Sequence, residues 1–306
     1  SRETFNVTSY DAVAFGIITL QTLAGLWING FIVCVLCVAW AKKKIFHSNE
    51  KILLFLGCSC LGNFCTTWLF SFLSVIYPQC FLANPLPQMF AALVGFFNSS
   101  NTWGSACLSV FYCVKIANFQ YTFFIYLKGK IDRMVPWLLL VSVLFALIMG
   151  VLAYDISYRA VFQNLNSTAP RNLWNIHIMM DEHTFALFCI IGFISTTSFL
   201  TAIFSALLLL FSLWRHKCRM QANSVRNLTM DAHSKAIKSI LSFTFIYSIH
   251  FTGYVLSSIH ANKTEYALMF VIVIFQYALP IAHSLILILI NPKLEKTFIR
   301  TLSCFK

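Results

Sequence analysis

A chain of 306 residues, 59% hydrophobic and only 10% charged, carries more apolar surface than a soluble domain of its size can bury, so the expected solvent is a lipid bilayer. A formal net charge of +12 would point to nucleic acid in a soluble protein. In a membrane protein it raises instead the question of which side holds the cations, and no nucleic acid partner is expected.

In chain order, seven apolar stretches are long enough to cross as helices: Val13–Trp40, Ile52–Tyr77, Met89–Ala117, Met134–Tyr154, Phe185–Trp214, Ile237–Ile259 and Tyr266–Ile290. The preceding Ser1–Asp11 is polar and does not read as a cleavable leader. The connections alternate in charge. Those after spans one, three and five, with the C-terminus and the span ends beside them, hold 18 of the 22 Lys and Arg and four of the ten acids; the others hold four cations and six acids. Cationic segments stay cytoplasmic, which puts the N-terminus outside and the C-terminus inside. An odd number of crossings likewise puts the two termini on opposite sides.

Of eleven cysteines, all but Cys80 fall in spans or cytoplasmic segments and read as small apolar packers, not as a disulfide framework. Among the Asn-X-Ser/Thr sites, Asn166 in the long outer loop 155–184 is the expected glycosylation acceptor.

Polar residues inside spans are the informative ones, because each needs a partner or a water-lined cavity. In span three, NSSNTWGS (98–105) puts polar side chains all round the helix, so this span is expected to be surrounded by others. Tyr247, His250, Tyr254 and Ser257 recur on one face of span six. Gln276 lies just outside the middle of span seven, and Ser195–Ser198 is central in span five. With Asn98, these groups converge at one depth below the outer loop, which describes a mostly apolar small-molecule cavity with a few hydrogen-bonding groups. The plainer reading is that they tie helices together, at about 0.6 kcal/mol each. No carboxylate lies within a span, so the cavity is expected to read the shape and hydrogen bonds of neutral or amphipathic molecules.

An enzyme is not expected. There is no HExxH helix, no GxSxG turn and no acid to complete an in-span Ser/His set. HIMMDEH (177–183) places His177, Asp181 and His183 in the outer loop, a nonspecific spacing that reads as a solvated loop and not as a metal site. No cofactor is implied. A transporter or channel would be expected to show inverted repeats and paired broken helices, and the chain shows neither.

At the inner end of span seven, His283 and Ser284 follow Pro280, which can kink the helix. Asn291 reads as an N-cap and Pro292 as a first-turn proline of a short amphipathic helix carrying Leu294, Phe298, Leu302 and Phe305 on its apolar side. This helix is expected to lie on the inner membrane surface, with Cys304 a lipidation candidate.

The segments LSVFYCVKIANF (108–119), SLWRHKCRMQ (212–221), DAHSKAIKS (231–239) and HSLILILINPKL (283–294) resemble signatures of the type 2 taste receptors, the bitter taste receptors. FYCVKIA stands where the largest rhodopsin-like class has DRY, and HSLILIL where it has NPxxY. The resemblance implies an all-α membrane protein, a seven-transmembrane receptor bundle over residues 1–290 with a cytoplasmic amphipathic helix and tail over 291–306. It also implies a plasma-membrane receptor for bitter small molecules, coupled to a gustducin-type or other Gi-family heterotrimeric G protein. Asn98 matches a ligand-contacting asparagine of the family, and His250 stands where members commonly have tyrosine. Val94 replaces a tryptophan of many members, and Val273 a site acidic in some. Ser198 takes the place of a proline, and Cys60 that of an arginine in a polar network. Tyr112, Lys115 and His283 are the expected inner switch residues. The basic rim of Arg215, Lys217, Arg219, Lys235 and Lys238 is expected to meet the G protein, anionic lipid being its plainer partner. A receptor for another chemosensory stimulus remains the alternative that the polar belt alone does not separate.

Overall fold

The computed structural model describes residues 9–44, 47–77, 85–117, 121–165, 182–222, 241–253, 255–256 and 266–303, and among them the regular structure is helical throughout. The helices are α1 (Ser9–Lys43), α2 (Ser48–Ile76), α3 (Leu86–Ile116), α4 (Thr122–Leu165), α5 (Glu182–Ala222), α6 (residues 241–253), α7 (Tyr266–Ile290) and α8 (Pro292–Ser303). Four of them, α1, α2, α4 and α5, are long and apolar enough to cross a membrane on composition alone. The polar belt of α3 dilutes its hydropathy, and packing in place of lipid contact supports it. It lies against α2, α4 and α5, and Ser99, Ser100, Asn101, Ser105 and Ser109 are all buried.

Several helices outrun the bilayer. At 1.5 Å per residue the 44 residues of α4 reach about 66 Å, against a hydrocarbon core of about 30 Å. Exposed tryptophans, Trp40 on α1, Trp137 on α4 and Trp214 on α5, mark the inner interface where amphipathic rings sit at headgroup level. The charged residues of α4 before Trp137 therefore continue the helix into the cytosol.

In-span hydroxyls mostly turn back onto their own helix. Thr67 donates to the Asn63 carbonyl at 2.6 Å, and Ser105 to the Asn101 carbonyl and Ser142 to the Leu138 carbonyl at 2.8 Å, the local satisfaction a dry environment demands. The inner core gathers Ile28, Ile32 and Leu36 of α1, Ile52, Leu53 and Leu56 of α2, Leu108 and Phe111 of α3, and Leu287 and Ile288 of α7. The approach of α3 to α4 rests on glycine. A Cβ at Gly95 would lie 2.9 Å from the Ala153 Cβ, and one at Gly150 3.0 Å from the Ala92 carbonyl oxygen.

Asn291 caps α8 as its sequence announces, its Oδ1 accepting the Lys293 and Leu294 N–H groups at 3.0 and 3.3 Å. The chain turns by 105° between α7 and α8. α8 does more than lie on a surface: Leu294 is fully buried in the inner core, and Phe298 meets Phe31 and Trp27 of α1 with ring centroids at 5.3 and 6.0 Å.

Candidate ligand cavity and cytosolic contacts

Four helices line one cavity within the bundle. Asn98, Ser99, Thr102 and Trp103 of α3, Met149 of α4, Ser195 and Ser198 of α5, and Tyr247, His250 and Phe251 of α6 line it. The cavity volume is about 20 Å³, and the void is partly open. That is room for a water molecule or one small group. Asp, Glu, Lys and Arg do not occur among these lining residues.

Most hydroxyls around the cavity already donate to backbone. Thr102 donates to the Asn98 carbonyl at 2.9 Å, Ser198 to the Ser195 carbonyl at 2.8 Å, and Tyr247 to the Thr102 carbonyl at 3.4 Å, a long bond from α6 to α3. Tyr247 is held between the rings of Phe199 and Phe243, and Phe199 also stacks on Phe251 at 4.2 Å. Phe243 in turn lies 4.8 Å from the His283 ring. One contiguous run of rings thus leads from the cavity to the buried imidazole of α7.

Of the residues expected at the site, Asn98, Ser195, Tyr247 and His250 share this void. Val94 is half-buried one turn outward on α3 and is not part of the lining. Gln276 also lies outside it, its side chain beside the α6 backbone, 3.9 Å from where a Cβ of Gly253 would stand. Tyr254 and the Val273 side chain lie outside the described residues, as do Asn166, His177, Asp181, Lys235, Lys238, Cys304 and Phe305 and the side chains of Lys217 and Arg219. Trp103, Met149 and Phe251 carry no sequence signal as cavity residues, because an apolar or aromatic side chain in a span looks the same facing lipid or facing a void.

Below the cavity a polar chain crosses four helices. The Ser284 hydroxyl, fully buried on α7, is 2.9 Å from both Asn29 Oδ1 of α1 and the Pro280 carbonyl. Cys60 of α2 lies within hydrogen-bond reach of Ser284 and donates to Asn101 Oδ1 of α3 at 3.4 Å.

At the cytosolic end, three consecutive residues of α2 each hold a different helix. Ser48 donates to the Asp132 carbonyl of α4 at 3.3 Å, Asn49 Oδ1 accepts the Tyr112 hydroxyl of α3 at 3.1 Å, and Glu50 accepts Lys293 of α8 at 2.6 Å. Lys115 is paired with Asp132, and that hydrogen bond holds the Asp132 carboxyl below its ordinary value. Both partners are about half exposed, so the pair adds little stability. Arg215 is exposed at the inner end of α5.

Glu50 is more sheltered, with 13% of its side chain exposed. Its other oxygen accepts the His47 N–H at 3.3 Å, half of a capping box at the start of α2. Burial alone would raise its carboxyl; the Lys293 and His47 hydrogen bonds and the nearby positive charge outweigh that and hold it below the ordinary value. A depressed carboxyl stabilises the fold above its unfolded-state value and loses that stabilisation as pH falls through the folded one. The docking of α8 is therefore expected to be constant through neutral pH and to loosen only below the ordinary glutamate range. Glu50→Gln at pH 7 should loosen it by about 1 kcal/mol, read as increased mobility of a fluorescent non-natural amino acid at Ser303; unchanged mobility would show that the pair does not hold α8.

Over residues 7–306 the chain matches the family described as taste receptor protein (TAS2R). It is 31% identical over 306 residues to taste receptor type 2 member 8 of Gorilla gorilla gorilla, with 97% of each chain covered. To taste receptor type 2 member 9 of Homo sapiens it is 30% identical over 303 residues, covering 98% of this chain and 96% of that one. The fold is similar to that of squid rhodopsin, a seven-helix receptor, with a TM-score of 0.61 at 15% identity, covering 97% of this chain and 88% of that one. Together with the apolar helices and the charge asymmetry of their connections, these likenesses place the chain among membrane receptors of the G-protein-coupled fold and not among enzymes, and the chain belongs to the type 2 taste receptor family.

Proposed function

We infer that the protein is a plasma-membrane receptor that binds bitter small molecules in the outer cavity and activates a gustducin-type or other Gi-family heterotrimeric G protein. One observation carries the reading: Asn98, Ser195, Tyr247 and His250, polar residues of three different helices, line one void free of fixed charge. An agonist of neutral or amphipathic character enters from outside and meets these groups together with Tyr254, Gln276, Val94 and Val273. It must bind the active arrangement more tightly, because equal affinity for both states shifts nothing; a change from 1:99 to 99:1 takes about 5.5 kcal/mol of difference.

The ring contacts from Phe251 to His283 offer a route by which side-chain shifts at the cavity reach the inner half. Inward, rearrangement loosens the contacts of Tyr112 and Lys115 and swings α6. The rim of Arg215, Lys217, Arg219, Lys235 and Lys238 then receives the G protein. In this reading residues 1–290 are the receptor bundle, 291–306 form its cytoplasmic helix and tail, and Asn166 carries a glycan outside.

Asn98→Ala and His250→Ala are expected to lower agonist potency about tenfold each, the worth of about one hydrogen bond, in calcium or cAMP assays at matched surface expression. Unchanged potency in both variants removes the cavity from the agonist site.

A further inference from the structure

Trp103 lies on α3, five residues inward of Asn98, and its indole is fixed by stacking on Phe145 of α4, with centroids 4.6 Å apart and planes 8° apart. Its Nε1 is buried and has no hydrogen-bond acceptor from the protein. The same side chain lines the cavity beside Asn98, Ser195 and His250. An indole nitrogen can only donate, and a buried donor without an acceptor is costly to keep. Among the other lining residues, the hydroxyl protons of Thr102, Ser198 and Tyr247 are already given to backbone carbonyls. The Trp103 N–H is therefore a rigid donor without an acceptor, on a side chain that lines the cavity.

We propose that Trp103 is a specificity-determining residue whose N–H takes the carbonyl oxygen of an uncharged ligand inserted between α3, α4 and α5. The proposal rests on the outer cavity being the agonist site. The small cavity volume, about 20 Å³, suits a single projecting oxygen and not a ring. An anionic acceptor would enter without a counter-charge, since Lys and Arg do not occur among the lining residues, and would be buried at a prohibitive cost. The ligand class is then neutral carbonyl compounds: lactones, ketones and amides.

The test uses pairs that differ only in carbonyl against methylene: coumarin with 2H-chromene, camphor with bornane, and carvone with limonene. Calcium responses are read in cells expressing wild type, Trp103→Phe, Asn98→Ala or His250→Ala at matched surface levels. The expected result is that at least one carbonyl member activates wild type about tenfold more potently than its methylene partner, the factor one hydrogen bond supplies. Trp103→Phe, which keeps the aromatic stack, should remove that advantage and leave the methylene member unchanged. Purified Trp103→Phe should melt no lower than wild type without compound, and should lose the thermal stabilisation the carbonyl member gives. Equal losses for both members of a pair, no loss for either, or silence toward every carbonyl compound overturns the proposal. If Asn98→Ala and His250→Ala weaken an active compound while Trp103→Phe does not, only the Trp103 assignment falls; if neither weakens it, the cavity reading falls as well.

Discussion

Gly150→Leu is expected to abolish delivery of the receptor to the cell surface, and Gly150→Ala to lower its stability by about 1–3 kcal/mol. A Cβ at Gly150 would stand 3.0 Å from the Ala92 carbonyl oxygen and 3.4 Å from the Phe96 Cβ, and the facing Gly95 would put its own 3.2 Å from the Met149 carbonyl oxygen. Backbone atoms cannot rotate aside as a side chain can. The first carbon already forces α3 and α4 apart, and the three further carbons of leucine wedge open a contact that forms much of the bundle's centre. Against a total stability of about 5–15 kcal/mol, such a displacement is enough to prevent folding. Met149, a wall of the cavity, moves with it. Gly192 on α5 is the control, since an added Cβ there meets nothing within 4 Å. Gly192→Ala should be neutral or stabilising, by up to about 1 kcal/mol from helix propensity. Flow cytometry of an epitope-tagged receptor and melting of purified protein check both. Normal surface levels and melting for Gly150→Leu would show that the two helices are not so closely apposed.

Leu294→Asp should release α8 from the bundle. Leu294 is fully buried among Ile28, Ile32, Leu287 and Ile288, and removing it forfeits about 1.5–3 kcal/mol of burial. Keeping the new carboxylate in place would cost several more, because the cluster around it is apolar. The helix has a cheaper course, which is to undock, so the penalty is capped at the worth of the docking itself. Phe298 should then leave Phe31 and Trp27. A fluorescent non-natural residue at Ser303 would report the release as mobility and solvent quenching, and Leu294→Met, nearly equal in volume, should stay docked with a loss of less than about 1.5 kcal/mol. A docked α8 in the aspartate variant would show that its attachment rests on the Lys293–Glu50 pair.

These contacts also mark where the sequence is legible. Hydropathy reports contact with lipid, so it located the spans but not the helix ends. Met134–Tyr154 was the readable part of a helix that runs from Thr122 to Leu165, because Lys128, Lys130, Asp132 and Arg133 end the apolar signal without ending the hydrogen-bond ladder. Asn98, Tyr247, His250 and Ser195 were legible as cavity residues because polarity is conspicuous in a bilayer. Trp103 was visible only as a member of a polar run; its stacking on Phe145 and its unmet N–H depend on α4, whose register against α3 no local pattern encodes. Gln276, expected on the same grounds as Asn98, is not among the residues that line the void. Depth along a helix can be counted from sequence, but the azimuth of α7 is set by packing, and it turns that side chain to the α6 backbone and not into the void. The cytosolic pairs of Lys115 with Asp132 and Lys293 with Glu50 join residues 17 and 243 positions apart, and charge counting assigns such groups a side of the membrane without assigning them partners.

Ser48, Asn49 and Glu50 occupy a single rigid turn, yet they answer to α4, α3 and α8 respectively. Successive side chains on a helix point about 100° apart, so the turn works like a three-way coupling: rotating it to follow one neighbour misaligns the bonds to the other two. An effector that pries any one of these helix ends away therefore strains all three attachments together, and motion at this face is collective even where the individual bonds are weak.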